Sequence, residues 1–396
     1  MARFGHTGHT GHTGQSGVAW PSGHTGHTGQ TGVGFPGSNH SAAMMTALML
    51  SREGIIGNWQ PPAAKAVSRF DTASLEHLAG TPQAAVIDYE LIAPVVINLV
   101  AQEEDAPDGV AYLCHADALG SASKVDLMRL AAPGADIFEQ QLDYLHHYAD
   151  LRADRMEEID VQLSDLTSFF SALAHFHPAR SKAIFRFIAA ALRFCATVQF
   201  RIKHGFGCPR PASFSAQVQP MIQTPDHGTL PSGHATEAIF LATLFKAMAE
   251  ELATTLQGDA ESWLSQFCSQ CDRLAVRIAV SRTVAGVHFP VDNAAGAVLG
   301  DTLARYVLAR VQTHAPNETE AAPLQWRQLD AQMQAFGAAD YNIDTLDALR
   351  TGCAINDQTV TTLTTVDLSL RHSPQLHWLW QTCVDELHRS AALQEV

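Results

Sequence analysis

Helical periodicity dominates this chain from residue 41 onward and limits the folds open to it. Apolar residues recur there at three- and four-residue spacing, the pattern of helices with one buried face. The candidate helices are 41–51, 84–104, 134–156, 162–176, 179–203, 234–256, 260–282, 290–313, 322–337 and 375–391. Alternating strand patterns are scarce and short. The sequence therefore predicts an all-α fold, a helical bundle with long irregular loops.

The first 40 residues differ from the rest of the chain. They contain five His-Thr-Gly triplets, which begin at His6, His9, His12, His24 and His27. A Gly/Thr/His tract cannot bury enough apolar surface to offset its ordering entropy. We therefore predict a disordered N-terminal tract over 1–40 and a single helical domain over 41–396. A metal-binding role for the histidines of the tract stays open.

Composition narrows the classes of function. The formal net charge of −15 argues against a nucleic-acid partner, because neutralising phosphates requires a basic face. The longest apolar stretch, 84–101, is interrupted by Asp88, Glu90 and Pro94 and is too polar to span a membrane. No secretory signal pattern is present, and seven cysteines, an odd number, fit a reducing compartment. We expect a cytoplasmic protein without membrane insertion.

A Pro-Ser-Gly-His sequence at 231–234 directly precedes a strongly helical segment. Ser232 is predicted at or next to the N-cap, where free backbone N–H groups and the helix dipole favour an anion. Gly233 permits close approach of a ligand to the backbone. His234 follows at once and is placed to exchange protons with a bound oxygen. The same four letters begin at Pro21, but no apolar helical pattern follows them, so we discard that copy.

A second cluster of polar residues surrounds the start of the predicted helix 290–313. His288 comes just before Pro290, and Asp292 lies in the first turn, within reach of the imidazole. An Asp that holds a histidine fixes its tautomer and makes its other nitrogen a better nucleophile or ligand. Arg282, near the end of the preceding helix, supplies a planar fork for oxyanion oxygens.

Two further cations lie around the start of the loop 204–233. Lys203 lies where a long predicted helix ends, and Arg210 can fold back from the Gly- and Pro-rich stretch that follows. Alone, such a pair is common on a solvated face. Combined with the two motifs above, the pair predicts a site for a tetrahedral oxyanion formed by segments within 203–292.

The order Lys-x6-Arg-Pro, Pro-Ser-Gly-His, Ser-Arg-x5-His-x3-Asp resembles one superfamily. It unites type-2 phosphatidic acid phosphatases, bacterial non-specific acid phosphatases and vanadium-dependent haloperoxidases, and it implies a helical bundle. The resemblance implies that Lys203, Arg210 and Arg282 neutralise the oxyanion. It also implies that Ser232 and the Gly233 N–H donate hydrogen bonds to the oxygens of that anion.

The same resemblance implies catalytic roles for three residues. His234 would be the general acid and base. His288 would be the nucleophile toward phosphorus in a phosphatase, or the single protein ligand to vanadium in a haloperoxidase. Asp292 would orient His288.

We favour a vanadium-dependent haloperoxidase from the sequence, with vanadate as cofactor and hydrogen peroxide, a halide and small organic molecules as substrates. The chain is longer than compact acid phosphatases need. His227 lies five residues before Ser232, where bromide-oxidising members of the family also carry a histidine beside the vanadate. The alternative is a soluble acid phosphatase that needs no cofactor and acts through a phosphohistidine.

A non-catalytic oxyanion-binding protein is a third hypothesis. The pair His234 and His288 argues against it, because binding alone needs neither. Large helical relatives of this family are often dimers, so a homodimer stays open.

Overall fold

The computed structural model describes residues 42–55, 69–78, 80–116, 124–255, 259–313 and 323–392, so the predicted tract 1–40 lies outside the described residues. The helices are α1 (Ala42–Ile55), α2 (Gly80–Ile92), α3 (Ala135–Gln140), α4 (Leu142–Tyr148), α5 (Arg152–Gln162), α6 (Thr167–Ala174), α7 (Lys182–Phe206), α8 (Pro211–Phe214), α9 (Gly233–Ala253), α10 (Ala260–Val284), α11 (Pro290–Gln312), α12 (Ile343–Thr351) and α13 (Pro374–Ala392). The strands are β1 (Val95–Val100), β2 (Val110–Ala116), β3 (Lys124–Ala131), β4 (Leu324–Gln332) and β5 (Thr361–Leu368). Short 3-10 helices cover Ala149–Leu151 and Met333–Phe336.

The prediction of an all-α fold is wrong. The five strands form one mixed sheet in the order β1-β2-β3-β4-β5, in which only the β3–β4 pair is parallel. The predicted helix 84–104 is α2 followed by β1, and the predicted helix 322–337 is mostly β4. Pro94 lacks a backbone N–H and cannot continue the hydrogen bonding of α2. The β-branched and apolar run that follows it suits a strand.

The interior of the molecule is built on α9, which packs against α10 and α11. Helix α9 is buried on all sides along its first half, as expected of a central helix. Two glycines of α11 allow α11 to approach it closely. A Cβ at Gly296 would come within 2.6 Å of the Ser232 carbonyl oxygen, and one at Gly300 would collide with the Thr236 carbonyl oxygen. These glycines set the start of α9 directly beside the first turns of α11.

The longest apolar helix, α7, also packs inside the protein. By length and composition alone, the segment Lys182–Phe214 could cross a membrane, but 61% of its apolar window is buried in the described structure. Helix α7 contacts α9 and α13, and a core helix of this kind meets the same compositional test. Gly207, at φ 60°, ends the helix and donates its N–H to the Lys203 carbonyl oxygen at 3.0 Å.

Candidate active site

The N-terminus of α9 lies at the centre of the site. Ser232 is the N-cap, with an extended backbone, and its Oγ accepts from the Ala235 N–H at 3.5 Å. The Ser232 N–H donates to the Asp292 carbonyl oxygen at 2.8 Å, which ties α9 to α11. Gly233 begins the helix, and Ser232 is fully buried. The predicted cap is therefore present inside the protein.

His234 and Arg282 form a direct contact on one side of this helix start. Nη1 of Arg282 lies 3.2 Å from Nε2 of His234, and Nη2 donates to Oε1 of Gln162 at 2.6 Å. The Gln162 carbonyl oxygen lies 3.0 Å from the same Nε2. Burial and then the charge of Arg282 lower the pKa of His234 well below its usual value. His234 is therefore neutral at neutral pH.

His288 is held from both sides. Its Nδ1 lies 3.1 Å from Oδ2 of Asp292 and 3.2 Å from Oγ1 of Thr229, and its Nε2 lies 3.0 Å from Nη1 of Arg210. The carboxylate at Nδ1 favours the tautomer with the proton on Nδ1, which leaves a lone pair on Nε2 directed toward Arg210. Burial and the charge of Arg210 keep the pKa of His288 well below its usual value.

Asp292 makes a local network at the start of α11. Its Oδ2 accepts from Oγ1 of Thr229 at 2.5 Å and from the Phe289 N–H at 2.8 Å. Burial raises the pKa of Asp292 to about 6, against the opposing effect of these two bonds. The group is therefore a carboxylate at neutral pH and can stabilise a positive charge that develops on His288.

Arg210 and Lys203 bind the loop that precedes α9. Arg210 is the N-cap of α8 and donates to the carbonyl oxygens of His227, at 3.0 Å, and Val287, at 2.8 Å. Nζ of Lys203 donates to the carbonyl oxygens of Gly228, at 3.3 Å, and Thr229, at 3.2 Å. Both cations therefore bind the loop that leads to α9 and hold it over His288.

His227 borders the cluster. Its Nδ1 lies 3.1 Å from Nη2 of Arg210, and its ring packs edge-on against Phe200. Between the exposed Asp226 and the fully buried Thr229, the chain passes from the surface to the core. His227, half-buried, thus marks the side of the site nearest solvent.

The three cations of the cluster form no ion pair with a carboxylate in the part of the chain that the structure describes. Lys203, Arg210 and Arg282 are at most 5% exposed. Within the described part of the chain, all of their hydrogen bonds go to carbonyl oxygens, imidazoles or the Gln162 amide, and Nε of Arg282 has no partner. Burying charge is costly unless it is paired, so this arrangement suits an anionic ligand.

The cost of this burial appears in the pKa values of the cations. Burial lowers the pKa of Arg282 to about 9 and that of Arg210 to about 10. Burial and the charge of Arg210 lower the pKa of Lys203 well below its usual value. A bound oxyanion would reverse these effects, because it favours the charged form of each group.

Comparison with known protein families finds a match over the segment that contains the site. Residues 183–315 match the profile of the PAP2 superfamily, a range that includes every residue predicted for the site. Residues 183–315 belong to the PAP2 superfamily.

The other comparisons are more limited. Among solved structures, this chain is similar to a transmembrane PAP2-type phosphatidylglycerolphosphate phosphatase from Bacillus subtilis. The two share 17% sequence identity, the similarity covers 47% of this chain and 81% of that chain, and the TM-score is 0.28. A search of curated proteins finds no match.

All the predicted site residues of the PAP2 segment lie in one connected cluster, and two further residues belong with them. Thr229 bonds to both Asp292 and His288, and Gln162 binds both His234 and Arg282. Thr229 lies just before the Pro-Ser-Gly-His motif, so its position gave a weak signal. Gln162 lies far away at the end of α5, and no local pattern points to it.

Proposed function

We propose that this PAP2 chain hydrolyses phosphoesters at the buried cluster, with His288 as the nucleophile. The observation that supports this most is the charge around His288. Arg210 contacts Nε2 of His288, whose Nδ1 contacts Asp292. Lys203 and Arg282 are buried in the same cluster, and none of the three cations forms an ion pair with a carboxylate of the described residues. A dianionic phosphoryl group supplies the missing negative charge, and the cations stabilise the charge that develops on its oxygens.

The first step transfers the phosphoryl group to His288. The lone pair of Nε2 attacks phosphorus, the bond from phosphorus to the leaving oxygen breaks, and His234 gives that oxygen a proton. Arg210 donates into the Nε2 lone pair in this structure, so the incoming oxyanion must first take over the Arg210 hydrogen bond. Asp292 stabilises the positive charge on the phosphorylated ring.

The second step returns the enzyme to its starting state. Water attacks phosphorus, the phosphorus–nitrogen bond breaks, and His234 takes the proton of the water. His234 can serve as the acid in the first step because a bound dianion offsets the charge of Arg282, the second cause of its lowered pKa. Substrate binding therefore raises the pKa of His234 toward the range in which a general acid works.

Because the cluster is buried, it limits the orientation in which a substrate can bind. The phosphoryl group must reach the start of α9, while the ester group extends toward the loop around His227, where the chain is closest to solvent. We infer a monoester, because three cations match the charge of a phosphate with a single ester bond better than that of a diester.

The test is hydrolysis of p-nitrophenyl phosphate by the full chain. His288→Ala should lower kcat by about a thousandfold or more, because removing a nucleophile abolishes the covalent route. His204→Ala is the matched control, since His204 is exposed near the end of α7, and it should retain activity. An active His288→Ala protein would overturn the proposal.

A haloperoxidase is the second candidate, and the position of His227 favours it. This imidazole lies 3.1 Å from Arg210 at the edge of the cluster. The residues fit vanadate as well as phosphate, since the three cations, Ser232 and Nε2 of His288 could hold a tetra-oxo anion. Bound there, vanadate would supply Lewis-acid activation of hydrogen peroxide toward a halide.

An assay of bromide oxidation by vanadate-loaded protein with hydrogen peroxide separates the two candidates. Halogenation that depends on vanadate and falls in His227→Ala would favour the haloperoxidase. If bromide oxidation is absent, or the same in His227→Ala, that residue gives the second candidate no support.

A cytoplasmic location is part of both proposals.

A further inference from the structure

We propose that a second anion site lies at the other end of α11, in a cavity of about 350 Å³ between α2, α11 and the start of α13. It would bind a small organic anion that carries a phosphate or carboxylate group. Arg310, which lines it, lies about 27 Å further along α11 than Asp292, at 1.5 Å per residue. The site is therefore separate from the catalytic cluster, and this inference does not rest on the proposed function.

Arg310 is the strongest indication of a ligand. It is 4% exposed, and its Nη2 and Nη1 donate to the carbonyl oxygens of Glu90, at 3.0 Å, and Arg371, at 3.4 Å. Its buried Nε has no hydrogen-bond partner, and within the described residues it forms no ion pair with a carboxylate. Arg310 also lines the cavity, and each of its two Nη atoms uses one N–H in these bonds, so the second N–H on each can bind a planar anion there.

The start of α13 adds a second, independent attraction for an anion. Pro374 begins this 19-residue helix, and Ser373 before it is 3% exposed. Oγ of Ser373 accepts from the Leu376 N–H at 3.3 Å. The positive end of the helix dipole therefore lies on the same cavity as Arg310.

The balance of charged groups around the cavity is positive. Arg310 and Arg371 line it together with a single carboxylate, Glu90, in the part of the chain that the structure describes. His115 and His372 also line it. Arg371 is exposed at the opening, so it can attract an anion from solvent while Arg310 holds it inside.

The size of the cavity limits the ligand. Its volume lies near the lower end of small-molecule sites, which span roughly 300–1,000 Å³. Tyr89, 67% exposed, lines the opening and offers an apolar face to the organic part of the ligand. These features fit a phosphate ester or carboxylate of a few carbon atoms, and they exclude nucleic acid or a protein partner from the interior.

Hydrogen exchange measured by mass spectrometry on the full chain tests this site locally. Inorganic phosphate and succinate are the two probes, and they distinguish a phosphate site from a carboxylate site. We expect one of them to protect residues 371–377 in wild type. Arg371→Ala should raise the probe concentration needed for half of that protection by about fivefold, and Arg310→Gln should raise it by about a hundredfold.

The matched control removes an exposed arginine near the C-terminal end of α13, away from the cavity. Arg389→Ala should leave protection of 371–377 unchanged, and none of these variants should change phosphatase activity. Arg310→Gln could fail to fold, whereas Arg371→Ala alters only an exposed side chain and keeps the test decisive. No protection in wild type by either probe, or the same protection in wild type and Arg371→Ala, would overturn the proposal.

Discussion

Arg282 and His234 touch inside the protein, with Nη1 of the arginine 3.2 Å from Nε2 of the histidine. Because both groups are buried, the arginine lowers the pKa of the imidazole, and the neutral imidazole leaves the charge of the arginine unpaired. The arrangement is unfavourable in the free protein and favourable once an oxyanion lies between the cations.

The form of the Arg282 side chain should matter as well as its charge. Arg282→Lys keeps a cation but loses the fork that reaches both Gln162 and His234. We expect vanadate inhibition of p-nitrophenyl phosphate hydrolysis to weaken by about tenfold to a hundredfold. Lys246→Arg, at an ion pair with Asp272, is a control for a general effect of such an exchange. Equal inhibition of wild type and Arg282→Lys would remove Arg282 from the anion site.

Oxyanion affinity should fall as pH rises. A bound anion raises the pKa of Lys203, Arg210 and Arg282, so the complex holds more protons than the free protein, and a higher pH favours the free protein. Lys203, whose pKa is lowered well below its usual value by burial, should contribute to this fall. Each proton taken up on binding gives about a tenfold loss in affinity per pH unit. Calorimetric titration with sulfate, whose own charge does not change in this range, measures this. In Lys203→Arg the loss should begin at higher pH; an identical profile would contradict the role of Lys203.

Stability should fall in mild acid because of the two buried histidines. Their folded-state pKa values lie below the unfolded value of 6.5, so below that pH the unfolded chain takes up protons that the folded protein refuses. Each histidine costs about 1.4 kcal/mol per pH unit in this window. Asp292 acts in the opposite direction between 3.8 and about 6. Urea unfolding of wild type and His234→Gln should therefore diverge below pH 6.5, and parallel curves would contradict the burial of a neutral His234.

Thr229 should act through Asp292 and His288. Thr229→Val removes the hydroxyl at nearly constant volume, and we expect kcat to fall by about tenfold or more with little change in KM. Thr229→Ser keeps the hydroxyl and should restore most of the rate. If Thr229→Ser is as impaired as Thr229→Val, the hydroxyl contributes only packing.

Local patterns were enough to predict the helices that carry the site. Helices α9, α10 and α11 begin at or within one residue of their predicted starts, because a cap or proline precedes a long apolar repeat. The sheet was missed because its parallel pair joins strands about 200 residues apart, such as Met128 with Leu329. Short half-buried strands also resemble pieces of an amphipathic helix.

The site was predictable for a related reason. Its charged residues lie beside helix ends, where sequence signals are strongest, and the order of the three motifs is specific. Gln162 could not be predicted, since it reaches His234 only through the packing of α5 against α10. The motifs also could not distinguish a phosphatase from a haloperoxidase, because both chemistries use the same residues.

A crystal structure of the protein with orthovanadate tests the central claim most directly. We expect a single strong vanadium peak in the anomalous map, beside Nε2 of His288 and enclosed by Arg210, Arg282 and Lys203. Vanadium elsewhere, or no ordered vanadium despite saturating concentration, would contradict a buried oxyanion site in this protein.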